Sequence, residues 1–146
     1  MTATYVVGVD GSDASHRALA FAKRQASLVG DGCALLLVCV VEWSPYKFQT
    51  HEENARRNKQ KQEEIKIATE RVIEPLLKEL AAEGLTAEGK VVHGKAATAL
   101  NNAAVEANAE QIFVARSADH GLSARVFGSV TAQLVMSANV PVTVVS

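Results

Sequence analysis

Short apolar segments rich in β-branched residues alternate along the chain with longer segments in which apolar residues recur every three or four positions. The first pattern is typical of strands that are buried on both faces of a parallel sheet, and the second is typical of amphipathic helices. Because the two kinds alternate, the sequence predicts an α/β fold with a five-stranded parallel sheet and four helices. The predicted strands are residues 5–9, 34–41, 90–93, 111–115 and 140–145.

Capping residues and glycines set the predicted helix boundaries. We expect the first helix to follow Ser12 and to end at Gly30. The charged segment 50–83 is predicted to be a long helix that Pro75 kinks near Glu74, because proline lacks the N–H that the helix needs there. Two more helices are predicted over 98–108 and 129–138. The apolar stripes are Ala18, Leu19, Ala22 and Ala26 in the first helix, and Ile65, Ala68, Val72, Leu76 and Leu80 in the long one.

The composition fits a single domain over residues 1–146, with 48% hydrophobic residues and a formal net charge of −1. Such a charge provides no basic field for nucleic acid or for an anionic membrane. No apolar run approaches the roughly 20 residues of a membrane span, and the N-terminus lacks the charged region of a signal peptide, so we expect a cytoplasmic protein. Cys33 and Cys39 lack a metal-binding or redox spacing, and we expect neither a disulfide nor a metal site.

The segment 111–135 predicts a strand, a polar loop and a helix that opens at Gly128 and Ser129. Free amides at a helix N-terminus and the aligned peptide dipoles favour an anion, so Gly128, Ser129 and Val130 form a candidate phosphate site. Ser129 fits as the N-cap residue and as a hydroxyl donor. A loop that wraps phosphates is expected to contain glycines, yet Ala115 and Ala118 stand upstream.

Three further groups follow predicted strands. Asp10 ends the first strand, where its carboxylate can accept hydrogen bonds from a sugar or an amine or hold a metal through water; a plain turn is the alternative. His93 and Lys95 precede a helix, and Lys95 is a second candidate for a phosphate contact. The loop 43–50 contains Trp43, Tyr46 and Phe48, which either cover a ligand or partner surface or cap the sheet.

In their order along the chain, the segments VVGVDGS, LLLVCVVEW, VVHGKAA, IFVARSADHGLSARVFGSV and PVTVV resemble the universal stress protein family over nearly the whole sequence. The resemblance implies a three-layer α/β/α, Rossmann-like fold and a homodimer, for which we expect pairing of the last strand, from Val140 to Val145. Many members bind ATP through a loop of the form G-x2-G-x9-G-[ST]. In this chain the first two glycines of that pattern are replaced by Ala115 and Ala118.

The resemblance also implies a set of nucleotide-binding residues, with no catalytic and no metal-binding residue among them. It places Val9 and Asp10 beside the nucleoside, Val40 at the adenine edge and Val114 beside the nucleotide. Ala115, Ala118, Gly128, Ser129 and Val130 would face the phosphates. The expected cofactor is ATP, accompanied by Mg²⁺ or Mn²⁺, with absence of nucleotide as the alternative because of the two alanines.

Three functions remain open at this point. The first is a regulatory module that binds ATP, weakened by Ala115 and Ala118, and acts on a protein partner. The second is a nucleotide-free dimer that acts only by binding protein. The third is a slow ATPase, which we expect least, because no histidine has a fixed relation to the phosphate end that would make it a general base.

Overall fold

The computed structural model describes residues 3–30, 32–42, 51–116 and 122–146, and within them the side chains of all residues except 51, 52, 54 and 122–129. Five strands form one sheet in which every neighbouring pair is parallel. The predicted α/β fold is therefore confirmed. The elements are β1 Ala3–Gly8, α1 Asp13–Val29, β2 Cys33–Val41, α2 His51–Ala68, a π-helical turn Thr69–Ile73, α3 Glu74–Ala82, β3 Thr86–His93, α4 Ala96–Glu106, β4 Gln111–Ala115, α5 Leu122–Ser137 and β5 Val142–Val145.

The strand order is β3-β2-β1-β4-β5, so the chain builds outward from β1 to β3 and then returns to the other side of β1. The direction of winding thus reverses between β1 and β4. In open α/β sheets the crevice for a ligand lies at the carboxyl ends of the strands beside such a reversal. The strand order alone therefore directs attention to the ends of β1 and β4.

Both faces of the sheet are buried, which explains the nearly continuous apolar strands. Val7, Leu37 and Phe113 belong to a core cluster that includes side chains of α1 and α3. Their neighbours in sequence, Val6 and Ile112, belong to a second cluster with α4 and α5. Alternate residues of one strand thus serve different cores, and the helices form the two outer layers of a three-layer fold.

The predicted caps of α1 are confirmed. The Ser12 hydroxyl accepts a hydrogen bond from the Ser15 amide at 3.2 Å, and Asp13 lies in the first turn. At the other end Gly30 has a φ of +99°, a left-handed conformation that favours glycine, and its amide bonds to the carbonyl of Ala26.

The long predicted helix is interrupted where the kink was expected. The π-helical turn ends at Ile73, α3 begins at Glu74, and Pro75 occupies its first turn. A π turn contains one extra residue, so Ile73 is brought into the core at 2% exposure although it lay outside the predicted stripe. Gly89 of β3 makes room for it, because a Cβ atom at this position would overlap Cγ2 of Ile73.

Other boundaries differ from the prediction. β3 begins at Thr86, four residues before the predicted start at Lys90, because it pairs with β2 along its whole length although Glu88 and the glycine interrupt its apolar pattern. β5 begins at Val142 because Pro141 has no N–H, and Pro141 contributes its carbonyl, which accepts from the Ile112 amide at 2.9 Å. α4 begins at Ala96, two residues before the predicted Thr98.

Candidate functional site

A cavity of about 230 Å³ lies at the carboxyl ends of β1, β2 and β4, beneath the first turn of α4 and one side of α5. It therefore occupies the point where the strand order reverses, as expected for a ligand crevice in this fold class. Its wall consists of Gly8, Val9, Asp10, Ser15, Val38, Val40, Glu42, Ala96, Leu100, Val114, Ala115, Val130 and Thr131.

Six of the nine residues predicted to bind nucleotide lie on this wall. The fold brings them together from the end of β1, from β2, from β4 and from α5. They are Val9, Asp10, Val40, Val114, Ala115 and Val130. Ala118 lies outside the described residues, and Gly128 and Ser129 are described only as backbone of α5.

Asp10 is held at the end of β1 by the turn that leads into α1. Its Oδ1 atom accepts hydrogen bonds from the amide of Ser12, at 2.9 Å, and from the Ser12 hydroxyl. Its own amide donates to Oγ of the buried Ser15 at 3.3 Å. Because the turn fixes one carboxylate oxygen and the side chain is exposed, the other oxygen is available to accept a hydrogen bond from a ligand.

The β2 end of the cavity contains groups that the sequence analysis did not identify. Glu42 follows the last residue of β2 and its exposed side chain is part of the wall. Ala96 and Leu100 cover this end from α4, whose N-cap residue Lys95 makes no side-chain capping bond. A signal for Glu42 was present, since it lies two residues after Val40 at a strand end that faces the crevice.

The described wall residues at the β4 end of the cavity are uncharged. Val114 and Ala115 close it from the strand, and Val130 and Thr131 close it from α5. Ala115 is 7% exposed and pairs with Val145, and among the described residues only Asn108 combines a side chain with a positive φ. The alanine at 115 therefore carries no left-handed strain, and its methyl group acts on a ligand only through its volume.

The predicted start of the last helix was wrong. α5 runs from Leu122 to Ser137, so Gly128 and Ser129 lie inside the helix, where amides bond to carbonyls four residues earlier. Ser129 is therefore not an N-cap residue. Residues 122–127 contain leucine, alanine and arginine but no proline, so the helix extends upstream through Gly128 at a cost of about 1 kcal/mol.

The whole sequence, residues 1–146, matches the model of the universal stress protein family. The chain belongs to this family. A search of the curated proteins gave no match. Among solved structures, the universal stress protein UspA from Lactobacillus plantarum is 19% identical with a TM-score of 0.80, covering 99% of this chain and 97% of its own.

Two other solved family members are described with a nucleotide. A universal stress protein in complex with cAMP is 23% identical, covers 99% of this chain and 97% of its own, and has a TM-score of 0.62. A family protein from Arabidopsis thaliana with AMP bound is 15% identical, covers 98% of this chain and 90% of its own, and has a TM-score of 0.64. At these identities the likeness establishes the shared fold.

His93 and Lys95, the second candidate pair, do not line the cavity. His93 is mostly buried, and its Nε2 atom lies 3.5 Å from a carboxylate oxygen of Glu64 in α2, so it joins a helix to the sheet. Lys95 is exposed at the start of α4. The aromatic residues Trp43, Tyr46 and Phe48 lie outside the described part of the chain.

Both cysteines are buried free thiols. Burial raises the pKa of Cys39, and the negative charge of Asp10 raises it further, while burial alone raises the pKa of Cys33. In the described ranges no three histidine, cysteine or acidic side chains are grouped so that they could hold a metal. The helices described there include none with the length and apolar character to cross a membrane.

Proposed function

We propose that this chain is a regulatory module that binds an adenine nucleotide in the cavity and acts through a protein partner. The observation that carries the proposal is the convergence of Val9, Asp10, Val40, Val114, Ala115 and Val130 on one cavity at the point of strand reversal. An apolar pocket with a few directed polar groups at this point is the usual form of a nucleotide site in this fold class.

The family relationship supports the choice of adenine. The two relatives described with cAMP and with AMP share the fold over nearly the whole chain. In this chain the apolar wall from Val38, Val40 and Leu100 suits the flat face of a base, while the free oxygen of Asp10 suits a ribose hydroxyl. ATP, with Mg²⁺ or Mn²⁺ as its counter-ion, is the form that the sequence pattern of the family suggests.

We expect the affinity for ATP to be weak. Ala115 narrows the β4 end with a methyl group, and α5 extends past Gly128 and Ser129, which removes their amides from a helix N-terminus. Gly128 and Ser129 keep their assignment as phosphate contacts only if a ligand unwinds the first turns of α5, and Ala118 would face the same phosphates.

A nucleotide-free dimer that acts by binding protein is the alternative, and the free edge of the sheet favours it. β5 is the last strand of the order, it is apolar, and Val144 is 40% exposed. An unprotected apolar edge tends to pair with another strand, so we expect a homodimer through Val140 to Val145 in either case. We expect this dimer to function in the cytoplasm.

Slow ATP hydrolysis is the third candidate, and we expect negligible turnover. The wall residues of the cavity include no histidine, lysine or arginine within the described part of the chain, so it shows no general base of suitable pKa and no cation for developing charge. Incubation with ATP and Mg²⁺ or Mn²⁺ should release no phosphate above the level of a Ser129→Ala variant. Several turnovers per minute that depend on Ser129 would establish an enzyme instead.

The decisive experiment is mass spectrometry of the purified and then denatured protein, followed by calorimetric titration with adenosine, AMP and ATP. Release of an adenine compound, or a titration that saturates at one ligand per chain, would support the proposal. Failure of all three ligands to bind, with a dimer in light scattering, would favour the nucleotide-free alternative.

A further inference from the structure

We infer that Glu42, together with Asp10, makes the cavity select the adenine ligand with the fewest phosphates, a nucleoside or nucleoside monophosphate over a triphosphate. The inference rests on the proposed function and names the ligand class and the residue that sets it. The observation behind it is the charge of the cavity wall, because the glycine motif of the family does not determine that charge.

The wall has two acidic side chains and no basic one among its described residues. Asp10 follows β1 and Glu42 follows β2, and these two strands are direct neighbours with Gly8 opposite Val38. Both side chains are exposed. Each phosphate that is added to a ligand therefore adds repulsion from these two carboxylates.

The positive charge that the described residues provide at this edge is smaller than the negative charge of the two carboxylates. The N-terminus of α4 at Ala96 is equivalent to about half a positive charge, and this charge falls off within the first turn. Gly128 and Ser129 provide no second helix start, because α5 begins at Leu122. Half a positive charge does not balance two carboxylates, so the described groups at the β2 end have a net negative charge.

Two described arginines at the same edge of the sheet, Arg17 and Arg116, are not among the wall residues of the cavity. Arg17 of α1 donates to the main-chain oxygen of Ser146 at 3.3 Å and to the carbonyl of Arg116 at 3.4 Å. Arg17 therefore holds the end of β4 in place.

The size of the cavity agrees with a small ligand. Its 230 Å³ lies below the roughly 300–1,000 Å³ that is usual for pockets of drug-sized ligands. The carboxylates accept hydrogen bonds and donate none, so they match the hydroxyl and amine donors of a nucleoside. The nucleoside thus agrees with both the volume and the charge of the described wall.

Calorimetric titrations of adenosine, AMP and ATP, without divalent cations and at low salt, test the inference on the unmodified protein, Glu42→Gln and Glu110→Gln. The unmodified protein should bind ATP more weakly than AMP or adenosine. Glu42→Gln should tighten ATP binding about three- to tenfold and change adenosine binding less than twofold, and added salt should reduce this difference.

Glu110→Gln is the matched control, since it removes one exposed negative charge from the residue before β4, at the opposite edge of the sheet and outside the wall of the cavity. It should leave the ratio of ATP to adenosine affinity within a factor of two. Tighter binding of ATP than of AMP by the unmodified protein, or an unchanged ratio in Glu42→Gln, would overturn the inference while leaving the proposed function intact. Absence of binding by every ligand to every variant would overturn the proposed function and the inference with it.

Discussion

The two ends of the cavity differ in charge and in how the chain builds them. At the β2 end, Asp10 and Glu42 provide two carboxylates, and the turn to Ser12 fixes the first of them. At the β4 end, Val114, Ala115 and Thr131 provide a neutral wall. The end that would hold the nucleoside is thus rich in acceptors, while the described wall residues at the end that would hold phosphates include no cation.

Under the proposed function, recognition of the nucleoside and recognition of the phosphates would depend on different parts of the chain. The nucleoside end depends on strand ends whose positions follow from the parallel sheet and from the capping turn of α1. The phosphate end depends on the segment after β4 and on where α5 begins, which two alanines and the sequence of residues 122–127 determine. Changes in one of these regions need not affect the other.

The largest effect on ligand affinity is expected at Gly8, which belongs to the wall of the cavity between its two ends. A Cβ atom added to Gly8 would lie 3.4 Å from Leu100 Cδ1 and 3.4 Å from Val114 Cγ1, so Gly8→Ala should be tolerated and the two further methyl groups of Gly8→Val should enter the cavity. Gly8→Val should weaken the binding of adenosine and of AMP by about 2 kcal/mol or more, roughly 30-fold in calorimetric titration.

Val6→Ile is the control for Gly8→Val, because it adds volume to the core without adding it to the cavity. Val6 belongs to the same strand and to the core cluster that contains Leu100 and Val114, but it does not line the cavity. It should lower the melting temperature as much as Gly8→Val does while preserving affinity. Equal binding by Gly8→Val and the unmodified protein would show that the ligand site lies elsewhere.

The next largest effect is expected from Asp10→Ala, which should change the affinity for adenosine more than the affinity for ATP. Asp10→Ala removes the carboxylate that accepts from a ribose hydroxyl, and should weaken adenosine binding by about 1.5 kcal/mol. ATP should lose less, because the same substitution also removes a repulsive charge. Asp13→Ala is the matched control, since Asp13 has the same charge in the first turn of α1 and is absent from the wall. A larger loss for ATP than for adenosine would contradict the assignment of the ends.

The position of Asp10 at the end of β1 was predictable from the sequence, because a buried parallel strand is a continuous apolar run. The caps of α1 at Ser12 and Gly30 were predictable for the same local reason. Val40 was predicted only from the family resemblance. Glu42 was missed because strand patterns do not show which residue after a strand turns toward a ligand.

The phosphate end was harder to predict because two local signals compete. Gly-Ser at 128–129 is typical of a helix start, while residues 122–127 include the good helix formers leucine, alanine and arginine, and in the structure the second signal prevails. The inward position of Ile73 likewise depends on an extra residue in the π turn and on the space above Gly89, which are tertiary features.

Glycine in place of Ala115 and Ala118 should increase the affinity for ATP without changing the affinity for adenosine. Ala115 carries no left-handed strain, so Ala115→Gly alone removes a methyl group and should tighten ATP binding by no more than about 0.5 kcal/mol. The double variant Ala115→Gly, Ala118→Gly should tighten it by about 1 kcal/mol, with adenosine affinity unchanged. Ala20→Gly on the exposed side of α1 should cost about 1 kcal/mol of stability without changing either affinity. A gain for adenosine as large as that for ATP would mean that the alanines act on the whole cavity.

The smallest effect on ligand affinity is expected at the free edge next to the phosphate end. Val144 lies opposite Val114 in the sheet register and is 40% exposed, so Val144→Lys puts a charge on the edge strand that we expect to pair with a second copy. Light scattering should show a shift toward the mass of one chain, 15.5 kDa, while AMP affinity changes by less than about 0.5 kcal/mol. Val135→Lys, an exposed valine on α5, should leave the dimer intact. If the unmodified protein already has the mass of one chain, the prediction of pairing through β5 is wrong. If Val144→Lys also abolishes AMP binding, the β4 end of the cavity depends on the second copy.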